Sequence, residues 1–235
     1  MTAAAPPGVV RPELLATIAA GSVTLGVTLS ERQLEQLVDY LLLIERWNAT
    51  YNLTAIRDLR GMAVQHILDC LAVILPLRRK LPDRAGARML DVGSGAGLPG
   101  VVVALAEPEL SIDCIDSVGK KAAFITHAAG ALGIKNLTAT HGRVEHFVAT
   151  PFDIIASRAY SSISTLLEQT SRILAADGYW MAMKGKLSDD EMGQVPSAAV
   201  EVELLEVPGL DAERCVVWIS SIGAGANFHG SERSA

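Results

Sequence analysis

The chain has 235 residues, of which 50% are hydrophobic, and a formal net charge of −6 at neutral pH. This apolar content is enough to offset the entropy lost on folding, which excludes a disordered chain. A protein that coats nucleic acid through its overall charge is also disfavoured, because 26 acidic residues outnumber 20 basic ones.

Cysteine usage and hydropathy indicate a cytoplasmic protein. The three cysteines, Cys70, Cys114 and Cys215, are far apart and form no CxxC pair, so we expect reduced thiols and no metal site. The apolar stretch 14–29 is shorter than the roughly 20 residues that a membrane span needs. The start of the sequence also lacks the Lys or Arg of a secretory signal. We therefore predict no membrane partner.

The front of the sequence is predicted to be a loose extension followed by a helical segment. Residues 1–29, which begin with an Ala-, Pro- and Gly-rich run, are assigned as the loose N-terminal extension. Ser30 and Gln33 match a capping box, which starts a helix with apolar residues at three- and four-residue spacing. A second helix is predicted over 59–76, so residues 30–80 form the helical segment on the substrate side.

From residue 88 onward, short apolar runs alternate with helix-like stretches. The predicted strands are 89–92, 110–115, 137–140, 152–156, 179–183, 200–207 and 215–222. Apolar strands that alternate with helices indicate an α/β fold with a parallel sheet covered on both faces. The last two strands are joined by too few residues for a parallel crossover, so they are predicted to form an antiparallel hairpin. Residues 81–222 would form this domain, and residues 223–235 a flexible tail.

A glycine-rich segment directly after the first predicted strand is the most informative feature. It reads Asp-Val-Gly-Ser-Gly-Ala-Gly-Leu-Pro-Gly over residues 91–100. Glycines in such a turn allow unusual backbone angles and close approach of a ligand, and ligands bind at the carboxyl ends of parallel strands. Asp91 would repel a pyrophosphate but suits a cationic ligand such as S-adenosylmethionine, which carries a sulfonium and an amino group.

A second carboxylate supports a cofactor site. Asp116 ends the second predicted strand, where it could accept hydrogen bonds from both ribose hydroxyls of an adenosine. The plainer interpretation of Asp91 and Asp116 is helix capping or surface solvation. The glycine loop between them favours the cofactor.

Several short motifs, taken together, resemble a known family. Besides the loop 91–100, they are Trp47-Asn-Ala-Thr-Tyr-Asn-Leu-Thr54, His66-Ile-Leu-Asp69, Asp116-Ser-Val-Gly-Lys-Lys121, Arg143-Val-Glu145, Ser157-Arg-Ala159 and Lys184-Gly185. In order and spacing, over residues 31–222, they are similar to the small-subunit ribosomal RNA guanine-N7 methyltransferases, also called the glucose-inhibited division protein B family. Two positions depart from the family pattern, with Cys70 in place of a common Ser and Tyr160 in place of a common Phe.

The resemblance implies a fold, a reaction and a cofactor. The fold is the Rossmann-like S-adenosylmethionine-dependent methyltransferase fold, a mostly parallel seven-stranded sheet with an antiparallel terminal hairpin and an N-terminal helical extension. The reaction is methylation of N7 of one guanine in a decoding-region loop of 16S ribosomal RNA. The cofactor residues that the resemblance implies are Gly93, Leu98, Val144, Glu145 and Arg158, with Asp116 as the ribose ligand. To these we add Asp91 and Gly95 from the loop.

This reaction requires no acid, base or metal from the protein. Guanine N7 carries a free lone pair, so the methyl acceptor needs no deprotonation, and the enzyme has to align the reactants and exclude water. We therefore predict positioning groups only and no catalytic residue. Arg158 could pair with the methionine carboxylate of the cofactor or with an RNA phosphate; the alternative is a salt bridge with a neighbouring acid.

Residues that could contact RNA occur in the helical segment and near predicted strand ends. The candidates are Asn48, Asn52, Arg57, His66, Lys120 and Lys184. Each has a plainer interpretation, since asparagines in turns often bond to their own backbone and His66 could be a packed histidine. The expected partner is 16S ribosomal RNA, within the small ribosomal subunit, and the protein is expected to be a monomer.

Basic residues are concentrated at the front of the sequence. Between Arg57 and Arg88, seven basic residues stand against three acidic ones, whereas residues 187–213 contain eight acids and no Lys or Arg. RNA needs a basic surface. We therefore expect the front to face RNA and the acidic segment to face away from it.

Two other functions stay open on the sequence alone. Residues 95–100 formally match GxGxxG, so a nucleotide-dependent dehydrogenase is the first alternative. The second is a non-catalytic sensor of the cofactor or a ribosome-binding module, against which the intact loop argues.

Overall fold

Helices cover both faces of one sheet in the computed structural model, which describes residues 7–83, 85–158, 162–187 and 200–221. They are α1 (Pro7–Thr24), α2 (Glu31–Tyr51), α3 (Leu59–Met62), α4 (Asp69–Leu71), α5 (Ile74–Lys80), α6 (Gly100–Ala106), α7 (Gly119–Leu132) and α8 (Ile163–Thr170). A π-helical segment, Ala63–Leu68, joins α3 to α4. Short 3-10 turns lie at Val144–His146 and Ser171–Ile173.

The strands form a seven-stranded sheet, and the predicted fold class is confirmed. They are β1 (Arg88–Val92), β2 (Ser111–Asp116), β3 (Leu137–His141), β4 (Phe152–Arg158), β5 (Leu174–Lys184), β6 (Val200–Leu204) and β7 (Cys215–Ser220). Their order in the sheet is β3-β2-β1-β4-β5-β7-β6. The pairs among β1 to β5 are parallel, and β7 runs antiparallel to both β5 and β6, as the hairpin prediction requires.

Both faces of the sheet are buried because strand residues alternate between two apolar clusters. In β1, Met89 belongs to the larger cluster with the N-terminal helices, while Leu90 and Val92 belong to the smaller cluster with α8. Asp91 lies on the same face as Met89, and this alternation explains why its carboxylate is buried. The strand order reverses between β1 and β4, which marks the carboxyl ends of these strands as the place for a ligand.

The first helix corrects the expectation of a loose extension over residues 1–29. Helix α1 occupies most of this range, and its Leu14 and Ile18 side chains are buried in the larger cluster. The Ala-rich composition that suggested a loose segment favours a helix once one face can be buried. Residues 1–6 and the predicted tail 223–235 lie outside the described residues.

The second helix begins where the capping pattern predicts. The hydroxyl of Ser30 accepts a hydrogen bond from the N–H of Gln33, and the Gln33 side chain accepts one from the N–H of Ser30. On the buried face of α2, the Tyr40 hydroxyl donates to the carbonyl oxygen of Ala96 at 2.5 Å. Helix α2 thereby supports the glycine loop.

The helix predicted over 59–76 extends over Leu59–Lys80 and contains the π-helical segment. In the described part of the chain, it is the helix long and apolar enough to cross a membrane by length and composition, and 67% of its apolar window is buried in the protein. We therefore assign it as a core helix. π-Helical turns are frequent at functional sites, and this one faces the end of β4, where it contacts Arg158.

Candidate cofactor and substrate site

The glycine loop connects β1 to α6 at the carboxyl edge of the sheet. Gly93, Gly95 and Gly97 have φ angles of 65°, 58° and 90°, which residues with side chains rarely adopt. Gly93 is exposed, and its N–H donates to the carbonyl oxygen of Ile115 in β2. The path of the loop therefore requires glycine, and the loop presents backbone rather than side chains to a ligand.

Asp91 supports the loop from below and is fully buried. Its Oδ2 accepts the N–H of Gly100 at 2.8 Å, and its Oδ1 has no hydrogen-bond partner among the described residues. Burial raises the pKa of Asp91 to about 7, and the Gly100 hydrogen bond opposes this shift. Asp91 thus supports the loop through Gly100, and its predicted contact with the cofactor stays a prediction.

Asp116 connects the end of β2 to two neighbouring segments. Its Oδ2 accepts the N–H of Gly95 at 2.9 Å, and its Oδ1 accepts the N–H of Val118 at 2.8 Å. The residue is 5% exposed. Each carboxylate oxygen has a second lone pair that could accept a hydroxyl, so the role of Asp116 as a ribose ligand stays a prediction.

A cavity of about 210 Å³ beside the loop brings together three predicted cofactor residues. Gly93, Val144 and Glu145 line it, together with Ser117 and Arg143. Val144 is buried and Glu145 is exposed, so the cavity offers an apolar surface and an accessible carboxylate. This combination is typical of sites for a nucleoside, which has an apolar base face and polar hydroxyls.

A larger cavity of about 350 Å³ lies at the carboxyl ends of β4 and β5. It is lined by Arg158, His66 and Lys184, which were predicted separately, and by Asp69 and Arg214. The Asp69 carboxylate accepts hydrogen bonds from Nη1 of Arg158 and Nε of Arg214, each at 3.0 Å. The salt bridge that was the alternative interpretation of Arg158 is therefore present, and it lies inside the site.

His66 lies on the π-helical segment and is bonded on both sides of its ring. Its Nδ1 is 3.3 Å from Nη2 of Arg158, and its Nε2 is 2.9 Å from Oγ1 of Thr54. Burial, followed by the charge of Arg158, lowers the pKa of His66 to about 4, so the ring is neutral at physiological pH. Because His66 is only 4% exposed, the structure favours a packed histidine, and its contact with RNA stays a prediction.

Asn48 is also a structural residue. It is buried, its side-chain amide donates to the carbonyl oxygen of Ile56, and its Oδ1 accepts the N–H of Thr54 at 3.0 Å. These bonds hold the turn after α2. They favour the plainer interpretation of Asn48, and its contact with RNA stays a prediction.

The remaining RNA candidates are accessible but do not converge on one cavity. Asn52 ends α2 in the left-handed conformation and accepts a hydrogen bond from Arg57 at 3.2 Å. Both residues are exposed, as is Lys120 at the start of α7.

Leu98, a predicted cofactor residue, is buried within the glycine loop. Its backbone N–H donates a hydrogen bond to the carbonyl oxygen of Ser94 in the same loop.

Five residues of the basic front form ion pairs, and the expectation that this front faces RNA stays a prediction. The pairs are Arg60–Glu13, Arg78–Glu107, Arg79–Glu203, Lys80–Glu201 and Arg88–Asp113. Glu201 and Glu203 belong to the acidic segment 187–213, which was expected to face away from RNA. Both lie on β6 and pair with residues of α5. Of the other two basic residues in this set of seven, Arg57 donates a hydrogen bond to Asn52 and Arg84 lies outside the described residues.

Asp69 and Arg214 are the site residues that sequence reasoning missed. Asp69 was part of the quoted motif 66–69, so a signal for it existed. Arg214 precedes an apolar strand without any motif, and a single arginine there indicates only a solvated surface. The two residues are 145 positions apart, and the fold alone brings them into contact.

One of the three cysteines, Cys215, lies in the lining of the larger cavity. All three are buried thiols outside any disulfide, and burial raises the pKa of the Cys70 and Cys114 thiols. Within the described ranges, no group of three or more His, Cys, Asp and Glu side chains could hold a metal ion.

Comparisons with known proteins point to one family. The family model GidB, described as rRNA small subunit methyltransferase G, matches residues 33–216. A protein of Acidovorax sp. (strain JS42) named ribosomal RNA small subunit methyltransferase G is 47% identical over 211 residues, which cover 86% of this chain and 93% of that protein. A protein of the same name from Methylibium petroleiphilum is 49% identical over 205 residues, covering 86% and 92%.

Solved structures share the fold at low sequence identity. The plantazolicin methyltransferase BpumL in complex with SAH superposes with a TM-score of 0.54 at 14% identity, over 79% of this chain and 96% of that chain. A protein of Methanococcus maripaludis described as an S-adenosyl-L-methionine-dependent methyltransferase gives a TM-score of 0.53 at 14% identity, over 78% and 92%. These two likenesses concern the fold alone.

Proposed function

Because the chain belongs to the rRNA small subunit methyltransferase G family, we propose that it transfers a methyl group from S-adenosylmethionine to N7 of a guanine in 16S ribosomal RNA. The observation that carries the proposal is a pair of cavities at one edge of the sheet. The smaller lies beside Gly93 and suits a nucleoside, and the larger is lined by cationic side chains around Arg158. Cofactor and nucleic acid would meet at this edge.

The residues at the loop fit the cofactor in shape and in charge. Gly93 leaves the entrance of the smaller cavity free of a side chain, and Glu145 adds a carboxylate there. Below the loop, Asp91 holds a buried oxygen without a partner among the described residues. The carboxylates of Glu145 at the cavity and of Asp116 beside the loop favour a sulfonium and an amino group over a pyrophosphate, and Arg143 is the cation in the same lining. This pattern argues against the dehydrogenase alternative.

Each residue at the predicted cofactor site would have a defined role in binding. When bound, S-adenosylmethionine supplies a methyl group on a positively charged sulfur. Gly93 and Val144 would contact the nucleoside, while Asp116 and Glu145 would accept hydrogen bonds from its ribose. Arg158 would pair with the carboxylate of the methionine. Asp91, Gly95 and Leu98 would keep the loop in shape.

The protein's contribution to the chemical step is alignment. Guanine N7 attacks through its own lone pair, so no side chain has to remove a proton. His66, the imidazole in the lining of the larger cavity, is neutral at physiological pH because its pKa is about 4. Holding reactants in line and excluding water can lower a barrier by about 7–11 kcal/mol.

The finer points of the proposal concern the substrate and the setting. The family name supports ribosomal RNA of the small subunit as the substrate. We extend this to the assembled small subunit as the form recognised, to a monomeric enzyme and to the cytoplasm as its location.

The decisive experiment uses the labelled methyl donor. The protein is incubated with small subunits isolated from cells that lack this modification, and the labelled nucleotide is mapped. We expect one 7-methylguanine in 16S RNA. Label at another atom or on a protein would contradict the proposal. A thermal-shift titration with S-adenosylmethionine and NAD(P) separates the dehydrogenase alternative, since a true ligand stabilises by mass action.

A further inference from the structure

Cationic side chains predominate among the described residues that line the larger cavity. Its charged lining consists of Arg158, Lys184 and Arg214 together with one acid, Asp69. His66 also lines the cavity and is neutral at physiological pH, because its pKa is about 4. The described lining therefore suits an anionic ligand.

Asp69 holds two of these cations in fixed positions. Its two oxygens accept one hydrogen bond each, from Nη1 of Arg158 and from Nε of Arg214, at 3.0 Å. The Asp69 side chain is 5% exposed, while those of the two arginines are 22% and 25% exposed. A buried carboxylate thus orients two guanidinium groups whose remaining surface is open to the cavity.

Arg214 lies on the side of the cavity that is far from the cofactor loop. The strand order places β7 three positions from β1, which is about 14 Å at the usual spacing of strands. Arg158, by contrast, ends β4, the immediate neighbour of β1. The two arginines on Asp69 therefore lie at different distances from the glycine loop.

Lys184 lies next to Arg214 across the sheet. Lys184 pairs with Cys215, the residue that follows Arg214, in the antiparallel ladder of β5 and β7. The Arg214 guanidinium also lies close to Gly185, which has no side chain to cover it. Nε of Arg214 is used by Asp69 and Nη1 by the carbonyl oxygen of Glu213, whereas Nη2 makes no hydrogen bond to the described part of the chain.

We propose that Arg214 and Lys184 form a subsite for a phosphodiester group of the RNA substrate, with Asp69 as the positioning residue that orients Arg214. This inference rests on the proposed function and names a part of its substrate site. Guanidinium and ammonium groups at adjacent strand ends match the oxygens of a phosphate, and the planar guanidinium can bind two of them. The subsite would anchor the backbone near the target base while Arg158 faces the cofactor.

The test measures RNA affinity as a function of salt. Each lost phosphate contact lowers the slope of log K against log salt concentration by about 0.7–0.9. We expect Arg214→Gln to lower the slope of binding to 16S RNA by about this amount and Arg214→Lys to restore it. Lys184→Gln should produce a similar decrease without disturbing Asp69. The affinity for S-adenosylmethionine should stay within about twofold in all three variants.

The matched control is Arg32→Gln, an exposed arginine beside a groove formed with residues 133–136, before β3, at the opposite edge of the sheet. It removes the same charge and should leave the slope unchanged. An unchanged slope in both Arg214→Gln and Lys184→Gln would overturn the subsite, as would an equal decrease in Arg32→Gln. A loss of cofactor affinity in Arg214→Gln instead of RNA affinity would assign the anion to the cofactor's carboxylate.

Label transfer and RNA binding, measured on the same proteins, distinguish a failure of the subsite from a failure of the proposed function. If the unmodified chain transfers label to 16S RNA and the Arg214 and Lys184 variants bind RNA with the same slope, only the subsite fails. If the unmodified chain transfers no label to RNA, the proposed function fails.

Discussion

Oδ2 of Asp116 accepts the N–H of Gly95 at 2.9 Å, which ties the end of the second strand to the glycine loop of the first. The same carboxylate also holds the start of α7 through Val118. One side chain therefore fixes the spacing between loop and helix where a cofactor would lie. This position makes Asp116 important for the shape of the site even before any ligand contact.

The first prediction concerns Asp116→Ala. Two backbone N–H groups lose their acceptor, and a ribose would lose its ligand, so we expect S-adenosylmethionine affinity to fall at least about tenfold. The free energy of unfolding should fall by about 1–3 kcal/mol. Calorimetric titration and urea denaturation measure the two effects.

The control for Asp116 is Asp58→Ala, which removes the N-cap of α3 away from the loop. It should lower stability by about 1 kcal/mol and leave cofactor affinity unchanged. Equal cofactor affinity in Asp116→Ala and the unmodified chain would contradict the assigned role.

The second prediction concerns the close packing at Gly100. A Cβ there would overlap Sγ of Cys114 and lie 2.9 Å from Oδ2 of Asp91, so Gly100→Ala should destabilise the protein by about 1–3 kcal/mol. Gly130, inside α7, has open space around it, so Gly130→Ala should stabilise by about 0.5–1 kcal/mol. Chemical denaturation checks both. Opposite signs are expected, and a neutral Gly100→Ala would refute the packing argument.

The third prediction concerns pH and His66. The pKa of His66 is about 4 in the folded protein and about 6.5 in the unfolded chain. Between pH 4 and pH 6.5, the unfolded chain therefore binds a proton at His66 that the folded protein does not bind. His66 therefore contributes stability that is lost as the pH falls from about 6.5 to 4, by up to about 3 kcal/mol. Asp91, with its raised pKa, gives the opposite trend over nearly the same range.

The comparison that isolates His66 is the unmodified chain against His66→Gln at each pH. The stability advantage of the unmodified chain should shrink between pH 7.5 and pH 4, because only that chain loses a neutral imidazole. Asp91 is present in both proteins, so its contribution cancels. A constant difference across this range would show that His66 titrates normally.

The fourth prediction concerns the paired basic residues of the front. Arg79 forms an ion pair with Glu203, and its charge is already compensated. We therefore expect Arg79→Gln to change the salt slope of RNA binding by less than about 0.2 and to change stability by less than about 1 kcal/mol. If Arg79→Gln lowered the salt slope as much as is expected for Lys184→Gln, the prediction would be wrong, and the basic front would be an RNA-binding surface.

The fold follows from features that are local in the sequence. The capping box at Ser30, the alternating strands and helices, and the short link before the last strand all act within a few residues. Local hydrogen bonding and burial then define each element, so the parallel sheet and its antiparallel hairpin could be predicted. Helix α1 could not, because its Ala-rich run becomes a stable helix only when Leu14 and Ile18 are buried against the rest of the protein.

The position of the glycine loop could be predicted from the sequence, whereas the environment of Asp91 beneath it depends on the tertiary structure. Its place after β1 and its need for positive φ angles were evident from the sequence, because glycine is the residue that adopts them readily. Whether the Asp91 carboxylate would be exposed or buried depended on the helices that pack against its face of β1. That choice was made by the tertiary structure, which buries Asp91 below Gly100.

The sequence by itself determined the order of the elements, the loop at the carboxyl edge and the class of cofactor that its carboxylates suit. Only the tertiary structure decided which charges meet. It brings Asp69 between Arg158 and Arg214, and it neutralises Arg79 and its neighbours with acids from β6. Charge is a property of each residue, but these ion pairs join residues that are 89 to 145 positions apart, and no local pattern in the sequence encodes such pairing.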